Sequence, residues 1–568
     1  LQITGEKLRL QKPTRKPNQH REPAEQEFAN KFYFCTMTLQ GKRFHPLLLT
    51  TLTAVLLWAA WPASGIAPLL FIALVPLLIF EDQALQAQQE GRKPKFFLIS
   101  YLGFVIFNLL TTWWVYFASP FGMAGAVLAN ALLMTFTFWF FHLTRKNFGN
   151  GIGYVSLPVY WMAFEHFHMD WDLTWPWLNL GNGFAAWADM VQWYEYTGTH
   201  GGTLWIWLSN ILLFKWLYAA PERNKKLLIS WSVLIAAPII ISYSILQNYN
   251  EKINPIEVVV VQPNIDPYNE KFSGNSREQL EKILNLAQPL ITQETRLVVC
   301  PETALPNGIW DEELNTHPQI DRIRQFIQPF PQVRFLTGLS YYYYYKQGEQ
   351  LSLTARKLER QDGYFDAYNA GMQLSNNQPI QLHYKSKLVP GVEKMPFPAI
   401  FGYLENFAID LGGTTGSLGV SEFPAVFTGD SITAAPVICY ESIYGDYVGE
   451  YVRRGANIIC IMTNDGWWSD TPGYRQHCQY ARLRAIEHRR SIARSANTGI
   501  SCFIDQKGHI EQATGWWVPA AIKARLNLNN DLTFYAQHGD LLGKTCFLSA
   551  GFFLGITLLA SIMRRKKK

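Results

Sequence analysis

The sequence predicts an α-helical membrane half joined to a water-facing α/β half, and three observations predict it. Seven apolar runs near the length that crosses a hydrocarbon core precede residue 250, and an eighth closes the chain. Between them, residues from about 255 to 530 alternate short strand-like apolar runs with helix-like runs. The composition is mixed. Aromatic residues make up 15%, with 20 Trp, yet mean hydropathy is only -0.03, which fits neither an all-membrane chain nor an ordinary soluble one.

Taken in order, residues 1–43 read as a polar cytoplasmic extension. Residues 1–36 are polar and basic, with no apolar core and no cleavage pattern, so they are not a signal peptide. Met37 reads as the native start, with an upstream extension before it; the rival reading is a disordered cytoplasmic tail. A seven-helix membrane domain is expected over 44–250, an α/β domain over 251–535, and a last membrane helix with a basic tail over 536–568. The expected spans are 45–61, 64–80, 96–117, 121–143, 151–168, 201–219, 227–246 and 541–562. The break Trp61-Pro-Ala-Ser-Gly65 makes the first two a tight hairpin.

Flanking charge orients these spans. Lys42 and Arg43, then Arg92, Lys93 and Lys95, then Arg145 and Lys146, then Arg223, Lys225 and Lys226, and finally Arg564 to Lys568 fall in alternate loops. Basic loops stay cytoplasmic, so both termini lie inside and the α/β domain lies outside, the periplasm in a bacterium with two membranes. The opposite loop, 169–200, carries Asp170, Asp172, Asp189 and Glu195 and no Lys or Arg. Its run Trp171-Asp-Leu-Thr-Trp-Pro-Trp-Leu178 is either an interfacial aromatic belt or a lining for lipid tails.

In the α/β domain, strands are expected at 257–262, 296–300, 333–339, 434–438 and 457–463, with helices at 277–290 and 475–490. Tyr341 to Tyr345 reads as strand and strand end. Cys300 and Cys460 sit in apolar strands and read as buried free thiols, although an outer-face domain permits disulfides among Cys300, Cys460, Cys478 and Cys502. His477 and His488 lie on a charged helix and read as structural or exposed. No Cys or His spacing fits a zinc site, no phosphate loop follows a strand, and no organic cofactor is implied. The net charge of +6 gathers at membrane flanks, with no basic platform for nucleic acid.

Chemistry gathers at three strand ends. The strand at 435–438 ends in Cys439, before a helix-like run from Ser442. That order sets the thiol near a helix N-terminus, which would lower its pKa. An inert buried cysteine is the bland alternative. Arg296-Leu-Val-Val-Cys-Pro-Glu-Thr-Ala304 delivers Glu302, and Gln381-Leu-His-Tyr-Lys-Ser-Lys387 delivers Lys385. A carboxylate, an ammonium and a thiol make an acyl-transfer set of base, oxyanion stabiliser and nucleophile.

In this order, Pro301-Glu-Thr-Ala304, Lys385-x-x-Leu-Val-Pro390 with Glu393 eight residues after the lysine, and Cys439-Tyr-Glu441 resemble the nitrilase, or carbon–nitrogen hydrolase, superfamily. With the membrane spans, and with Asn464-Asp-Gly-Trp-Trp468, Gln479 to Glu487 and Arg494-Ser-Ala-Asn-Thr-Gly499, the likeness is to its membrane-bound branch, the apolipoprotein N-acyltransferases. It covers roughly 44 to 565. The chain departs from the usual pattern at Gly391-Val392 and in the Asn464 run. The resemblance implies a periplasmic αββα sandwich, which alternation alone does not distinguish from other layered α/β folds. It implies Glu302, Lys385 and Cys439 as the catalytic set, with Glu393 and Glu441 supporting it. The backbone N–H of Tyr440 reads as a second oxyanion donor. It also implies a multi-pass inner-membrane enzyme working as a monomer among membrane lipids. Such an enzyme takes an acyl chain from a phospholipid through a thioester on Cys439. It gives that chain to the N-terminal amine of a diacylglyceryl-cysteine apolipoprotein. The rivals are a membrane-tethered amidohydrolase that uses water, and a non-catalytic membrane protein. The Pro- and Gly-rich stretch Met395 to Gly416 reads either as a mobile lid or as ordinary packing over the sheet.

Overall fold

A computed structural model describes residues 43–63, 65–219, 224–358, 362–376, 378–397 and 417–566. The expected extension at 1–36 and the expected lid beyond Phe397, up to Gly416, lie outside the described residues.

Among the described residues, four helices are long and apolar enough to cross a membrane: Ala67–Gln89, Pro120–Phe167, Lys225–Asn248 and Leu541–Arg564; Pro46–Ala60 and Phe96–Thr112 are shorter apolar helices. Prolines open several of them, at Pro46, Pro76 and Pro120, where the missing N–H has no helical partner to lose. Two expected spans, 121–143 and 151–168, form one run that Gly149, at φ 81°, breaks between them. The expected span 64–80 differs. It is a tight turn at Ala67–Phe71 and then a helix, Val75–Gln89, that continues past Glu81 and Asp82. Hydropathy reads those acids as a stop, but Arg145 pairs with both and His142 Nδ1 lies 2.8 Å from Glu81 Oε1. Pairing offsets part of the penalty of burying them. The helices Lys225–Asn248 and Leu541–Lys566 bury little against the rest of the chain and display Ile229, Ile240, Leu548 and Phe552 outward. Apolar faces of this extent are matched to lipid.

The α/β domain is two sheets face to face. The first is built from β1 (Pro255–Gln262), β2 (Thr295–Val299), β3 (Leu305–Trp310), β4 (Arg334–Tyr344), β5 (Arg356–Lys357), β6 (Tyr364–Ser375), β7 (Gln378–Tyr384) and the late strand β14 (Ala520–Asn527). Its order is β14-β1-β2-β4-β6-β5, with β3 on β4 and β7 on β6. The second runs β13-β12-β11-β10-β9-β8, from β13 (Ile510–Ala513) through β12 (Cys502–Ile504), β11 (Ile492–Ala496), β10 (Ile458–Thr463) and β9 (Ile432–Ile438) to β8 (Phe427–Gly429). Each sheet has parallel strands at its centre. The expected strands and helices are present, including the tyrosine run, which forms the end of β4 through Tyr344.

Two-residue periodicity explains the layering. In β1, Val258 and Val260 face the second sheet, while Val259 and Val261 face helices Ser276–Ala287 and Pro318–Ile327. In β10, Ile458, Cys460 and Met462 fill the space between the sheets, and Ile459 and Ile461 face the other way. Strands buried on both sides read as continuous apolar runs. Cys300 and Cys460 are buried free thiols; Cys478 and Cys502 are also unbonded, with sulfurs 3.8 Å apart.

The outward face of the second sheet shares one apolar core with the membrane helices. Helix Pro472–His488 is the bridge. Trp177 Nε1 donates to Gln476 Oε1 at 2.7 Å, Trp61 Nε1 to the Tyr480 hydroxyl at 3.0 Å, and Tyr480 to the Trp177 carbonyl at 2.9 Å. Just beyond it, Arg489 Nη1 donates to Gln192 Oε1 at 2.7 Å and its Nε to Glu195 at 2.6 Å.

The first sheet fixes Glu302 through close backbone approach. A Cβ on Gly338 of β4 would lie 2.4 Å from the Thr303 nitrogen and 2.7 Å from the Glu302 Cα. Gly338→Ala is therefore expected to push the 302–303 turn off the sheet. Stability should fall by about 1–3 kcal/mol, as in other overpacked sites, and activity should fall further; the thermal midpoint in detergent and the turnover rate check both.

Candidate active site

Glu302, Lys385 and Cys439 converge on one cavity of 770 Å³. Each comes from the end of a strand: Glu302 follows β2, Lys385 follows β7, and Cys439 follows β9. Thr303 and Cys439 hold φ of 45° and 49°, a region unfavourable to branched and ordinary side chains alike. Strain of this kind persists only where surrounding contacts enforce it.

Those contacts are present. Lys385 is buried, and its Nζ donates to Glu302 Oε1 at 2.9 Å and Glu393 Oε1 at 2.8 Å. Asn369 Nδ2 donates to the same two oxygens at 2.7 and 3.1 Å, and Glu393 Oε2 accepts from the Val389 nitrogen at 2.8 Å. Glu441 does not join this cluster. Its carboxylate accepts from the Ser386 nitrogen at 2.7 Å and the Ile438 nitrogen at 2.8 Å, with Tyr447, Tyr451 and His383 around it. It thus ties the residue after Lys385 to the residue before Cys439. The Tyr440 side chain leaves the cluster too, donating to the Thr174 carbonyl at 2.9 Å.

Charge is set by burial and pairing. Burial alone would raise the Glu302 carboxyl; Lys385 and Lys271, with hydrogen bonds from Lys385 and Asn369, outweigh it and hold it below its ordinary value. Burial alone would neutralise Lys385; Glu302 and Glu393 instead keep its ammonium well above the ordinary range. The Cys439 thiol goes against the expectation of a lowered pKa. Burial and the Glu302 charge push it up, and Lys385 only partly opposes them. The helix N-terminus that was to lower it is absent. A single tight turn, Cys439–Ile443, follows the strand, and the helix begins only at Gly445. At rest the site is a neutral thiol beside the ion pair of Glu302 and Lys385, with Glu393 bonded to the same ammonium.

Sequence reading missed what lies beneath the elbow. His477, read as structural or exposed, is fully buried, and its Nε2 lies 3.2 Å from the Cys439 carbonyl and 2.9 Å from Ser442 Oγ. Its Nδ1 meets Asp465 Oδ1 at 2.9 Å, and Asp465 Oδ2 accepts from Arg494 at 2.7 Å. Burial alone would raise Asp465, but Arg494 and His477 hold it at about 2. Lys271 was also missed: its Nζ donates to the Glu302 carbonyl at 2.9 Å and to Thr303 Oγ1 at 2.6 Å. Neither residue sits in a run of recognisable chemistry, so no sequence signal marked it.

The rest of the cavity wall is mostly apolar and comes from both halves of the chain. Trp114, Phe121 and Ala126 belong to the helical half, Trp175 and Trp177 to the tryptophan loop, and Trp467 to the α/β half. The loop that carries Glu393 is tied to the tryptophan loop: Lys387 Nζ lies 3.1 Å from Asp170, and the Phe397 nitrogen donates to Asp172 at 3.0 Å. Among the described residues, no cluster of His, Cys, Asp and Glu could hold a metal ion.

Two facing sheets with this strand-end cluster define a carbon–nitrogen hydrolase-type domain, and residues 257–530 match the family model described as Carbon-nitrogen hydrolase. The helical half is equally specific, since residues 53–212 match the model described as Apolipoprotein N-acyltransferase N-terminal domain. An apolipoprotein N-acyltransferase from Chlorobaculum tepidum is 31% identical over 542 residues, covering 93% of this chain and 98% of its relative. One from Geobacter metallireducens is 24% identical over 536 residues, covering 92% and 95%. The chain belongs to the apolipoprotein N-acyltransferase family. A solved amidase from Nesterenkonia sp. is 13% identical, with a TM-score of 0.33 over 50% of this chain and 92% of its own.

A neutral resting thiol makes a checkable prediction. Well below its pKa, thiolate rises about tenfold per pH unit. Alkylation of Cys439 in lipid-free protein, followed by peptide mass spectrometry, is expected to be slow at neutral pH and to climb at that slope. A fast, pH-independent reaction would mean a preformed thiolate.

Proposed function

We propose that Cys439 carries an acyl thioester between two lipid-anchored substrates, a phospholipid donor and the N-terminal amine of a diacylated apolipoprotein. One observation carries this reading: the cavity holding Glu302, Lys385 and Cys439 is walled by the membrane helices as well as by the α/β domain. A soluble amide has no need of such a wall. An acyl chain does, because its methylenes gain about 0.8 kcal/mol each on leaving water.

The geometry supports the following steps. Glu302 takes the thiol proton as sulfur attacks the ester carbonyl, and the Lys385 ammonium stabilises the oxyanion. The tetrahedral adduct collapses, the lyso-phospholipid alkoxide leaves with the proton from Glu302, and the acyl group stays on sulfur. The amine then attacks the thioester, Glu302 accepts its proton, and that proton returns to the departing Cys439 sulfur. Glu393 holds Lys385 in place, and Glu441 joins the backbone beside Lys385 to the backbone beside Cys439. The Tyr440 N–H is a second oxyanion donor. Exclusion of water protects the thioester.

The same reading extends to topology. Basic loops on alternate sides support eight spans, with both termini cytoplasmic and residues 251–535 in the periplasm of a bacterial inner membrane. Residues 1–43, 44–250 and 536–568 are then the cytoplasmic extension, the seven-helix domain and the last helix with its tail. The enzyme works as a monomer.

Intact-mass and peptide mass spectrometry after exposure to phospholipid test the proposal. A fatty-acyl adduct on the Cys439 peptide is expected, and none in Cys439→Ala. No adduct on lipid-saturated wild-type protein would overturn it.

A further inference from the structure

The proposed steps use one buried lysine and leave another idle. Lys271 is 3% exposed, deep beside the base. Among the described residues, no carboxylate oxygen comes within 4.0 Å of its Nζ. Instead it donates to the Glu302 carbonyl and the Thr303 hydroxyl, the two groups that flank the strained φ of Thr303. A buried ammonium without an ion pair is expensive, and a structural clamp alone could be built from an amide.

The charge balance explains its presence. Glu302 and Lys385 act on the sulfur, and Lys385 is held between two carboxylates, Glu302 and Glu393; Asp465, which also faces the sulfur, is paired with Arg494. Without Lys271 that group carries one net negative charge, against which a thiolate or an oxyanion must form. With Lys271 the group is neutral. It stays neutral when the proton moves from Cys439 to Glu302, and again when negative charge passes to the oxyanion.

We propose that Lys271 is a positioning residue that clamps the Glu302 turn and supplies the second positive charge that lets the thiolate and oxyanion form. This rests on the reading of Glu302 and Cys439 as base and nucleophile. The charged or titratable groups that face Lys271 are Glu302 from the turn after β2, Lys385 from the end of β7 and Cys439 from the elbow. Burial lowers Lys271 to about 8, with Lys385 adding to the fall and Glu302 and Cys439 opposing it. Its charge is therefore present at neutral pH and lost in mild alkali, so acylation should decline as pH rises through that value.

The test uses the full chain in detergent with phospholipid. The single-turnover rate of acyl adduct formation on Cys439 is followed by mass spectrometry across neutral to alkaline pH, for wild type, Lys271→Met and Lys271→Arg. Lys271→Met is expected to fold and to lose about 100-fold in rate, the scale of a removed oxyanion-side charge, together with the alkaline decline. Lys271→Arg, which stays charged, is expected to recover most of the rate and move the decline to higher pH. A Lys271→Met enzyme with the wild-type rate and profile would overturn the proposal. So would a folded Lys271→Arg enzyme whose decline stays where the wild type has it. If Lys271→Met does not fold, the Lys271→Arg profile decides alone. A wild-type enzyme with no adduct on Cys439 overturns the underlying reading and this proposal with it; normal wild-type acylation with unaffected variants overturns this proposal only.

Discussion

A single ammonium in an apolar cavity organises this molecule. Lys385 is buried, and it keeps its charge only because Glu302 and Glu393 each place an oxygen within hydrogen-bond distance of it. Glu302 in turn is held below its ordinary value by Lys385 first, then by Lys271 and the Asn369 amide. A buried cluster of this kind is stable as a set and destabilising when any member is removed. Its demands reach outward. Gly338 lacks a side chain because the Glu302 turn lies against it, and Glu441 spends its carboxylate on the backbones that flank Lys385 and Cys439.

The second organising fact is that one apolar core continues from the membrane helices through helix Pro472–His488 to the back of the second sheet. The elbow that holds Cys439 is therefore positioned from both sides. The carboxylate–lysine cluster approaches it from the first sheet, and His477, Asp465 and Arg494 support its carbonyl from beneath. The tryptophan loop closes the remaining side, so the Cys439 sulfur sits in a space that belongs to neither half alone. An enzyme that moves acyl chains between lipid-anchored molecules needs its polar cluster and its chain-binding wall in that arrangement.

The apolar runs placed β1, β2, β4, β9 and β10, because a strand buried on both faces is a continuous apolar run whatever its neighbours, but they did not mark β3, β5, β6, β8 or β11 to β14. Glu302 and Cys439 were legible as candidates for a similar reason, since each follows such a run, whereas Lys385 follows the polar, partly exposed strand β7 and was marked by the Lys-x-x-Leu-Val-Pro run. The second span was misplaced because hydropathy counts Glu81 and Asp82 as charges, while the fold neutralises them with Arg145 and His142. The thiol was read as acidic because a strand followed by a helix implies a helix dipole, yet a tight turn intervenes, and burial with the Glu302 charge pushes the thiol up. Lys271 and His477 were invisible for a different reason. Their importance comes from what long-range packing sets beside them, and local sequence carries no trace of it.

The most direct measurement concerns the acyl-enzyme itself. Protein loaded with a fatty-acyl group on Cys439 is separated from free phospholipid, and loss of the adduct is timed in buffer alone and with a diacylated lipopeptide that bears a free N-terminal amine. A long-lived thioester in buffer, discharged by the lipopeptide with transfer of the chain to its amine, is the expected result. Equal loss in both, with free fatty acid as the product, would contradict acyl transfer and make the protein a membrane-held hydrolase.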